Sequence, residues 1–365
     1  MRVVGLALTA AVLLSGCDAR AGVASIGSQD LPSPVSYRVT GTVTVGKGPE
    51  GVAVDPSTHM VYVANSGDDT VSVIDAASRT VVGSIRVSGE PSAVAVDPGT
   101  HTVFVQHFGF RQPGVAYSLE SFVSVIDSST RTVIATVPVG KLQGSGGLAV
   151  DPTTHLVYVS NDFDDTLSVI DGKTYAVIDT VPVGAELTGV AVDPGTSSIY
   201  VSTERGGTGG NSPPVGKDSV RVIDGMSRAV IATISAGHSP QAVVVDPRTH
   251  DIYVANRWVG EVTVIDGSTR SITTTVSVEA GISWGPGFGV DPSNGTVYVT
   301  NADESTLSVI DGSTRVVTAT VVIGKYLRGL AVDPGTHVVY VATDAQSSSH
   351  PSIDGAVSII ESVIG

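Results

Sequence analysis

The dipeptide Asp-Pro recurs seven times along the 365-residue chain, and each copy follows a short run of small and β-branched residues. Successive copies are about 46 residues apart on average, a period typical of repeat proteins built from four-stranded blades. A chain of this length would otherwise be expected to form two domains. The copies begin at Asp55, Asp97, Asp151, Asp193, Asp246, Asp291 and Asp333.

Each repeat contains four apolar segments of strand length, separated by residues that favour turns. In the first repeat the segments are 51–55, 59–65, 70–75 and 80–87. Consecutive short strands joined by tight turns form an antiparallel meander, and one such sheet buries its faces only against a neighbouring sheet. The pattern therefore predicts an all-β protein in which seven four-stranded antiparallel sheets pack radially as the blades of a β-propeller.

The seventh repeat ends one strand early, after segments 329–333, 337–343 and 356–361. The missing strand precedes the first repeat, because residues 37–46 (YRVTGTVTVG) resemble the fourth-strand segment 133–140 (VIATVPVG). Pairing the two ends would remove an exposed sheet edge. We therefore predict that residues 37–365 form a seven-bladed propeller, closed by an N-terminal strand that completes the last blade.

The second segment of the sixth repeat reads Tyr298-Val299-Thr300-Asn301, and close variants begin at Tyr62, Phe104, Tyr158, Tyr200, Tyr253 and Tyr340. This pattern resembles the YVTN family of bacterial β-propeller repeats, which includes YncE-like exported proteins. The resemblance covers residues 37–365 and implies the same fold. It does not imply an activity, because one fold carries many functions.

The N-terminal residues are typical of an exported protein. After Met1-Arg2, residues 3–14 are apolar but too few to span a membrane, and Leu14-Ser15-Gly16-Cys17 follows. The last four residues resemble the lipobox of bacterial lipoproteins, which implies a signal peptide over 1–16 and lipid on Cys17. Residues 17–36 then form a flexible tether, and the protein would be held in the cell envelope. A plain secretory signal is the alternative.

Composition narrows the possible functions. The chain has 20 basic and 35 acidic residues, for a net charge of −15, which argues against a nucleic-acid partner. It has one cysteine, so neither a disulfide framework nor a cysteine metal cluster is expected. No G-x-S-x-G, His-Glu-x-x-His or phosphate-loop motif is present. We expect no cofactor.

Residues that recur at one position in every repeat lie around a wide ring and cannot converge on one site. Accordingly, the aspartates are expected to shape turns, and the repeated tyrosines are expected to pack between sheets. Small residues such as Gly51 would open the crowded innermost strands. The same ring argument assigns a packing role in turns, and not a metal-binding role, to His59, His101, His155, His250 and His337.

The two faces of the predicted ring differ. Turns after the first strands all contain Asp-Pro, whereas the opposite face carries the departures from the repeat, 108–121, 204–218, 279–288 and 344–355. A binding site is expected among such variable loops. Two rings of residues are predicted to form a polar funnel there. The first strands are entered by Glu50, Ser92, Gly146, Thr188, Gln241, Pro286 and Arg328, and the second strands end in Asn65, His107, Asn161, Thr203, Asn256, Asn301 and Thr343.

Aromatic and basic loop residues add contact surfaces to this face. The candidate binding residues are Glu50, Asn65, His107, Asn161, Gln241, Asn256, Trp258, Trp284, Asn301 and Arg328. Glu50 and Arg328 are predicted to be neighbours across the seam where the ring closes.

The leading hypothesis is a non-catalytic, lipid-tethered propeller that binds a protein, peptide or glycan through the loop-bearing face. One alternative is a metal-dependent hydrolase or lactonase, which would require Glu50, His107 and nearby asparagines to converge on one ion. Asn side chains at strand ends can also be purely structural. The other alternative is an architectural component of the envelope or a surface layer.

Overall fold

The computed structural model describes residues 35–108, 120–142, 146–184, 186–204, 218–257, 259–279, 287–344 and 354–364. These ranges contain 28 β-strands and no helix. No segment of the described chain is therefore a helix long and apolar enough to cross a bilayer. The predicted signal peptide, Cys17 and the tether up to residue 34 lie outside the described residues.

The strands form seven four-stranded antiparallel sheets, so the predicted seven-bladed propeller is confirmed. Blade 1 comprises β2 Pro49–Asp55, β3 Met60–Asn65, β4 Thr70–Asp75 and β5 Thr80–Arg86. Blade 2 comprises β6 Pro91–Asp97, β7 Thr102–His107, β8 Glu120–Asp127 and β9 Thr132–Lys141. Blade 3 comprises β10 Leu148–Asp151, β11 Leu156–Asn161, β12 Thr166–Asp171 and β13 Ala176–Pro182. Blade 4 comprises β14 Glu186–Asp193, β15 Ser198–Glu204, β16 Ser219–Asp224 and β17 Val230–Ser235. Blade 5 comprises β18 Pro240–Val245, β19 Asp251–Asn256, β20 Glu261–Asp266 and β21 Ser271–Ser277. Blade 6 comprises β22 Phe288–Val290, β23 Thr296–Asn301, β24 Thr306–Asp311 and β25 Val316–Val322.

Blade 7 contains both ends of the described chain. Its strands, from the axis outward, are β26 Leu327–Asp333, β27 Val338–Thr343, β28 Asp354–Ile364 and β1 Val35–Lys47. β1 pairs with β28 from Val35↔Ile364 to Lys47↔Asp354, which confirms the predicted closure. The strand begins at Val35, two residues before the predicted Tyr37. The inner strands of consecutive blades contact one another around the whole ring, including β26 with β2.

Seven apolar clusters fill the spaces between adjacent blades, one at each interface. Each repeated aromatic lies in the cluster between its own blade and the next. Tyr62, for example, packs between blades 1 and 2, and Tyr340 packs across the seam between blades 7 and 1. The predicted packing role of these aromatics is confirmed. Because each sheet buries its faces only against its neighbours, the stability of every blade depends on the closed ring.

Glycines let the innermost strands approach closely around the axis. A Cβ atom on Gly51 would lie 2.7 Å from the carbonyl oxygen of Ser92, and one on Gly147 would lie 2.6 Å from the backbone nitrogen of Val190. Neither contact is compatible with a side chain unless the backbone moves. The small residues predicted at the start of the inner strands are therefore a requirement of the narrow centre.

Candidate functional site

Two rims bound the propeller, and we name them after their features. First strands end and second strands begin at the Asp-Pro rim. The opposite rim, where first strands begin, is called the mouth. The connections from second to third strands and from fourth to first strands also lie at the mouth. The strands on either side of each of the four variable segments, 108–121, 204–218, 279–288 and 344–355, therefore end or begin at the mouth. Most residues of those segments lie outside the described residues.

At the Asp-Pro rim the repeated aspartates have one common role. Oδ1 of each accepts a hydrogen bond from the backbone N–H two residues later, at 2.9–3.0 Å. This is the turn geometry that the sequence predicts. The aspartates that follow the third strands also accept bonds from turn residues, and these bonds hold the pKa of Asp266 at about 2.

Four of the five repeated histidines link adjacent blades. Nδ1 of each lies 2.7–2.8 Å from Oδ2 of a fully buried Asp-Pro aspartate in the preceding blade. The pairs are His59–Asp333, His155–Asp97, His250–Asp193 and His337–Asp291. The predicted packing role is confirmed, and the pairs also join one blade to the next. His101 makes no such bond, and Oδ2 of Asp55 has no donor.

A cavity of about 230 Å³ lies on the axis at the mouth. Its outer ring consists of Glu50, Ser92, Gly146, Thr188 and Gln241, all from the predicted ring of residues that enter the first strands. Glycine and alanine residues form the next ring, and apolar residues from Val52 to Leu330 line the interior. Phe108, which follows β7, also lines the cavity. Pro286 lies outside the described residues.

The outer ring is positioned by irregularities in the inner strands. In five blades the pairing of the first and second strands shifts at the mouth, so that extra residues face a single residue of the partner strand. Such a β-bulge redirects a side chain and often accompanies a binding site. The polar residues inside these shifts are Glu50, Ser92, Thr188, Gln241 and Arg328. They are five different residues at one repeated position.

One residue of the outer ring, Glu50, forms an ion pair at the seam between blades 7 and 1. Nε of Arg328 lies 3.9 Å from Oε2 of Glu50, so the two are neighbours as predicted. Burial raises the pKa of Glu50; Arg328 opposes this shift, and Asp344 adds to it. Arg328 also borders a shallow groove with Lys325 and Tyr326, whose ring is largely exposed.

The opposite side of the cavity is hydrogen-bonded around the carboxylate of Glu204. Nε2 of Gln241 donates to Oε2 of Glu204 at 2.9 Å, and the Ser239 hydroxyl donates to the same carboxylate. Oγ1 of Thr188 donates to the carbonyl oxygen of Pro240 at 2.6 Å. Oε1 of Gln241 is buried and has no donor. These bonds hold the side chains of blades 4 and 5 in place at the mouth.

The second predicted ring does not line the cavity. Asn65, Asn161, Asn256 and Asn301 are fully buried within their blades, which corrects the expectation that they form part of the funnel. Nδ2 of Asn65 donates to the hydroxyls of Thr70 and Ser72, and the same bonds recur in blades 3 and 6. The recurring pattern Asn-x4-Thr-x-Ser is the sequence signal that could have identified this structural role.

His107 is also buried, because it stacks on Phe122 with ring centroids 4.3 Å apart. Burial lowers its pKa to about 4, although the Gly89 backbone nearby acts in the opposite direction. Neither imidazole nitrogen has a hydrogen-bond partner. His107 is therefore a neutral core residue and does not reach the cavity that Glu50 lines.

Of the remaining candidate binding residues, Trp258 and Trp284 lie outside the described residues. Among the aromatic and basic loop residues expected to add contact surface, Phe163 is exposed, whereas Arg257 is buried, and burial lowers its pKa. Asp68, between β3 and β4, has a structural role, because its Oδ2 accepts a bond from the backbone N–H of Lys47 at 2.7 Å.

Convergence on a metal ion is not seen in the described part of the chain. No three His, Cys, Asp or Glu side chains there are grouped as metal ligands would be. Glu50 lies on the cavity wall, whereas His107 and the asparagines are buried within the blades. The arrangement required by the hydrolase alternative is therefore not formed by the residues named for it.

Comparison with protein families and with curated proteins finds no match. Among solved structures, the chain is similar to Kuenenia stuttgartiensis hydrazine synthase, with a TM-score of 0.70 and 17% sequence identity over 88% of this chain and 97% of that chain. At this identity the likeness supports the fold alone. In all, 1624 chains of solved structures match, so the fold is too widely shared to indicate a function.

Proposed function

We propose that the protein is a non-catalytic binding propeller that holds a protein, peptide or glycan at the mouth of its axial cavity. One observation carries the proposal: four blades place four different polar residues, each in a β-bulge, around the cavity, and Arg328 occupies the same bulged position in a fifth blade. The residues that recur in the blades, such as the Asp-Pro aspartates, have structural roles. Variation among polar residues at an opening is what recognition of an asymmetric ligand requires.

The YVTN resemblance and the Leu-Ser-Gly-Cys motif support the further proposal of an exported lipoprotein tethered through Cys17. Val35 pairs with Ile364 at the Asp-Pro end of blade 7, whereas Lys47 pairs with Asp354 at the mouth. The chain that precedes Val35 therefore joins the propeller at the rim opposite the mouth. A tether attached there would leave the mouth directed away from the membrane.

The test compares two substitutions that add the same bulk at opposite rims. Ser92→Phe places an aromatic ring at the mouth, and Ala77→Phe places one in an exposed turn of the Asp-Pro rim. The purified full chain and both variants are applied to peptide and glycan arrays. We expect ligands that bind the wild type and Ala77→Phe but not Ser92→Phe. If every array ligand that binds the wild type also binds Ser92→Phe, the mouth is not the binding site.

The hydrolase alternative is tested with the same preparations. Metal content is measured, and a panel of lactones and esters is assayed. Hydrolysis that depends on a stoichiometric metal and is lost in Glu50→Gln would replace the binding proposal. A protein without metal-dependent turnover on this panel would leave the binding proposal in place.

A further inference from the structure

Side-chain donors and acceptors on the cavity wall differ in whether they already have hydrogen-bond partners within the protein. The side-chain donors are engaged within the protein: the Ser92 hydroxyl donates to the carbonyl oxygen of Gln106 at 3.1 Å, and Thr188 donates to that of Pro240. The amide nitrogen of Gln241 donates to Glu204. A ligand in the cavity therefore meets side-chain donors that already have acceptors.

One acceptor on the same wall, the Glu50 carboxylate, lacks a hydrogen-bond donor in the described part of the chain. Among the described residues, no hydrogen bond reaches the Glu50 carboxylate, because Arg328 at 3.9 Å is beyond hydrogen-bond distance. A buried acceptor without a donor costs free energy, so a ligand that donates here is favoured over one that accepts.

The charge of Glu50 selects among donor ligands. A bond from a cationic N–H to a carboxylate is roughly twice as strong as a bond between neutral groups. Burial raises the pKa of Glu50, which shows that its ionised form is poorly stabilised by the protein alone. The net charge of −15 also attracts cations. An ammonium group would supply the hydrogen-bond donors that Arg328, at 3.9 Å, does not provide, together with a second positive charge.

We infer that the mouth binds a primary alkylammonium group, with the Glu50 carboxylate as its charged partner. The group could belong to a free amine or to a lysine side chain of a peptide. A cavity of about 230 Å³ admits a group of this size, whereas pockets for drug-sized ligands measure roughly 300–1,000 Å³. This inference rests on the proposed function and narrows the ligand class at the same site.

The first experiment titrates the purified full chain at about pH 8, where a carboxylate is ionised and an alkylamine is still protonated. Binding of n-butylamine, n-butanol and N-acetyl-lysine N-methylamide is measured by NMR. We expect one or both amines to bind at least about tenfold more tightly than n-butanol. Tighter binding of butylamine indicates a free amine, and tighter binding of the lysine derivative indicates a peptide. Equal binding of butanol, or no binding by either amine, overturns the inference.

Two variants locate the site. Glu50→Gln removes the charge but keeps the shape, and we expect at least about a tenfold loss of amine affinity. Glu304→Gln makes the same change at an exposed position of the mouth rim away from the cavity, and its affinity should be unchanged. Thermal unfolding checks that both variants fold. If Glu50→Gln does not fold, Ser92→Phe provides the second test, because an aromatic ring at the mouth should also abolish amine binding.

The two proposals fail separately. If amines do not bind but array ligands are still lost in Ser92→Phe, the mouth is a binding site for another chemistry, and only the ammonium inference falls. If array binding is insensitive to both Ser92→Phe and Glu50→Gln, the proposed function itself falls. Acetylation of lysines on the peptide array provides an additional arm, because it removes the charge of every lysine side chain.

Discussion

The two rims of this propeller use the sevenfold repeat in opposite ways. At the Asp-Pro rim all seven blades carry the same residue, and each aspartate makes the same turn bond. At the mouth the five bulges described carry Glu50, Ser92, Thr188, Gln241 and Arg328. A residue that recurs in every blade has a structural role that all the blades share. Polar residues that differ among equivalent positions and line an opening are available to a ligand.

The seam between blades 7 and 1 shows how far the repeated rim contributes to closure. One hydrogen bond and two ion pairs cross it: His59–Asp333 at the Asp-Pro rim, Arg79–Glu361 near the outer edge and Glu50–Arg328 at the mouth. The chain crosses this interface from β1 to β2, and β1 is held in blade 7 by its pairing with β28, so that pairing and the side-chain contacts keep the ring closed. The following predictions test whether the Asp-Pro rim determines stability and the mouth does not.

The largest effect is expected for Asp333→Ala. Asp333 is fully buried, its Oδ1 accepts the backbone N–H of Gly335, and its Oδ2 bonds His59 across the seam at 2.7 Å. The substitution removes both bonds and the carboxylate that fills this buried site, and we expect a loss of about 3 kcal/mol in the free energy of unfolding. Urea denaturation measures it. A loss below about 1 kcal/mol would mean that the repeated rim is not what holds the ring closed.

The second prediction concerns His107, which breaks the repeat at the mouth but is buried. Its pKa falls from about 6.5 to about 4 on folding, so between these values the unfolded state binds more protons than the folded state. The stability due to the neutral imidazole is present above about pH 6.5 and is lost as the pH falls towards 4, by on the order of 3 kcal/mol.

His107→Phe, which preserves an aromatic ring against Phe122, should remove this dependence. We expect urea denaturation at about pH 7 and pH 4.5 to show that the wild type loses on the order of 2–3 kcal/mol more than the variant. Equal acid sensitivity of the two proteins would show that the imidazole is not the titrating group. His107 would then not be the neutral buried imidazole that a pKa of about 4 describes.

The third prediction compares two histidines within the Asp-Pro rim. His155 bonds Asp97 of the preceding blade at 2.7 Å, whereas the equivalent His101 makes no such bond to Asp55. We expect His155→Ala to cost about 1–2 kcal/mol and His101→Ala less than about 0.5 kcal/mol, measured by urea denaturation. Equal losses would show that the turn position itself, and not the bond between blades, makes histidine recur.

The fold could be predicted from the sequence because strands that are consecutive in the chain form six of the seven blades, and because the same pattern recurs in seven repeats. The missing fourth strand of the last repeat identified its replacement, and the position of Tyr340 within its repeat predicted that it packs between blades. Burial of the repeated asparagines was missed because a polar residue at a strand end has the same pattern whether it faces solvent or a hydroxyl of the next strand. Here the hydroxyls of Thr70 and Ser72 bind Asn65 inside the blade.

The mouth could be predicted only in part. Glu50 and Arg328 were expected to meet because ring closure alone makes their blades adjacent. The bulges that position them are shifts of one or two residues in strand pairing, and a polar residue before an apolar run does not reveal such a shift. The bond from His59 to Asp333 was missed for a different reason. It depends on the distance between blades, which no single repeat encodes.

The smallest effect is expected for Ser92→Ala at the mouth. The Ser92 hydroxyl makes one neutral hydrogen bond, to the Gln106 carbonyl at 3.1 Å, and the residue is only partly buried. We expect a loss of no more than about 1 kcal/mol in urea denaturation, well below that of Asp333→Ala. The two variants together separate the rims, because one removes a group repeated in every blade and the other a group found in one. A loss for Ser92→Ala as large as that for Asp333→Ala would mean that the bulged residues hold the ring together, and their variety would then reflect packing at five different interfaces and not a ligand.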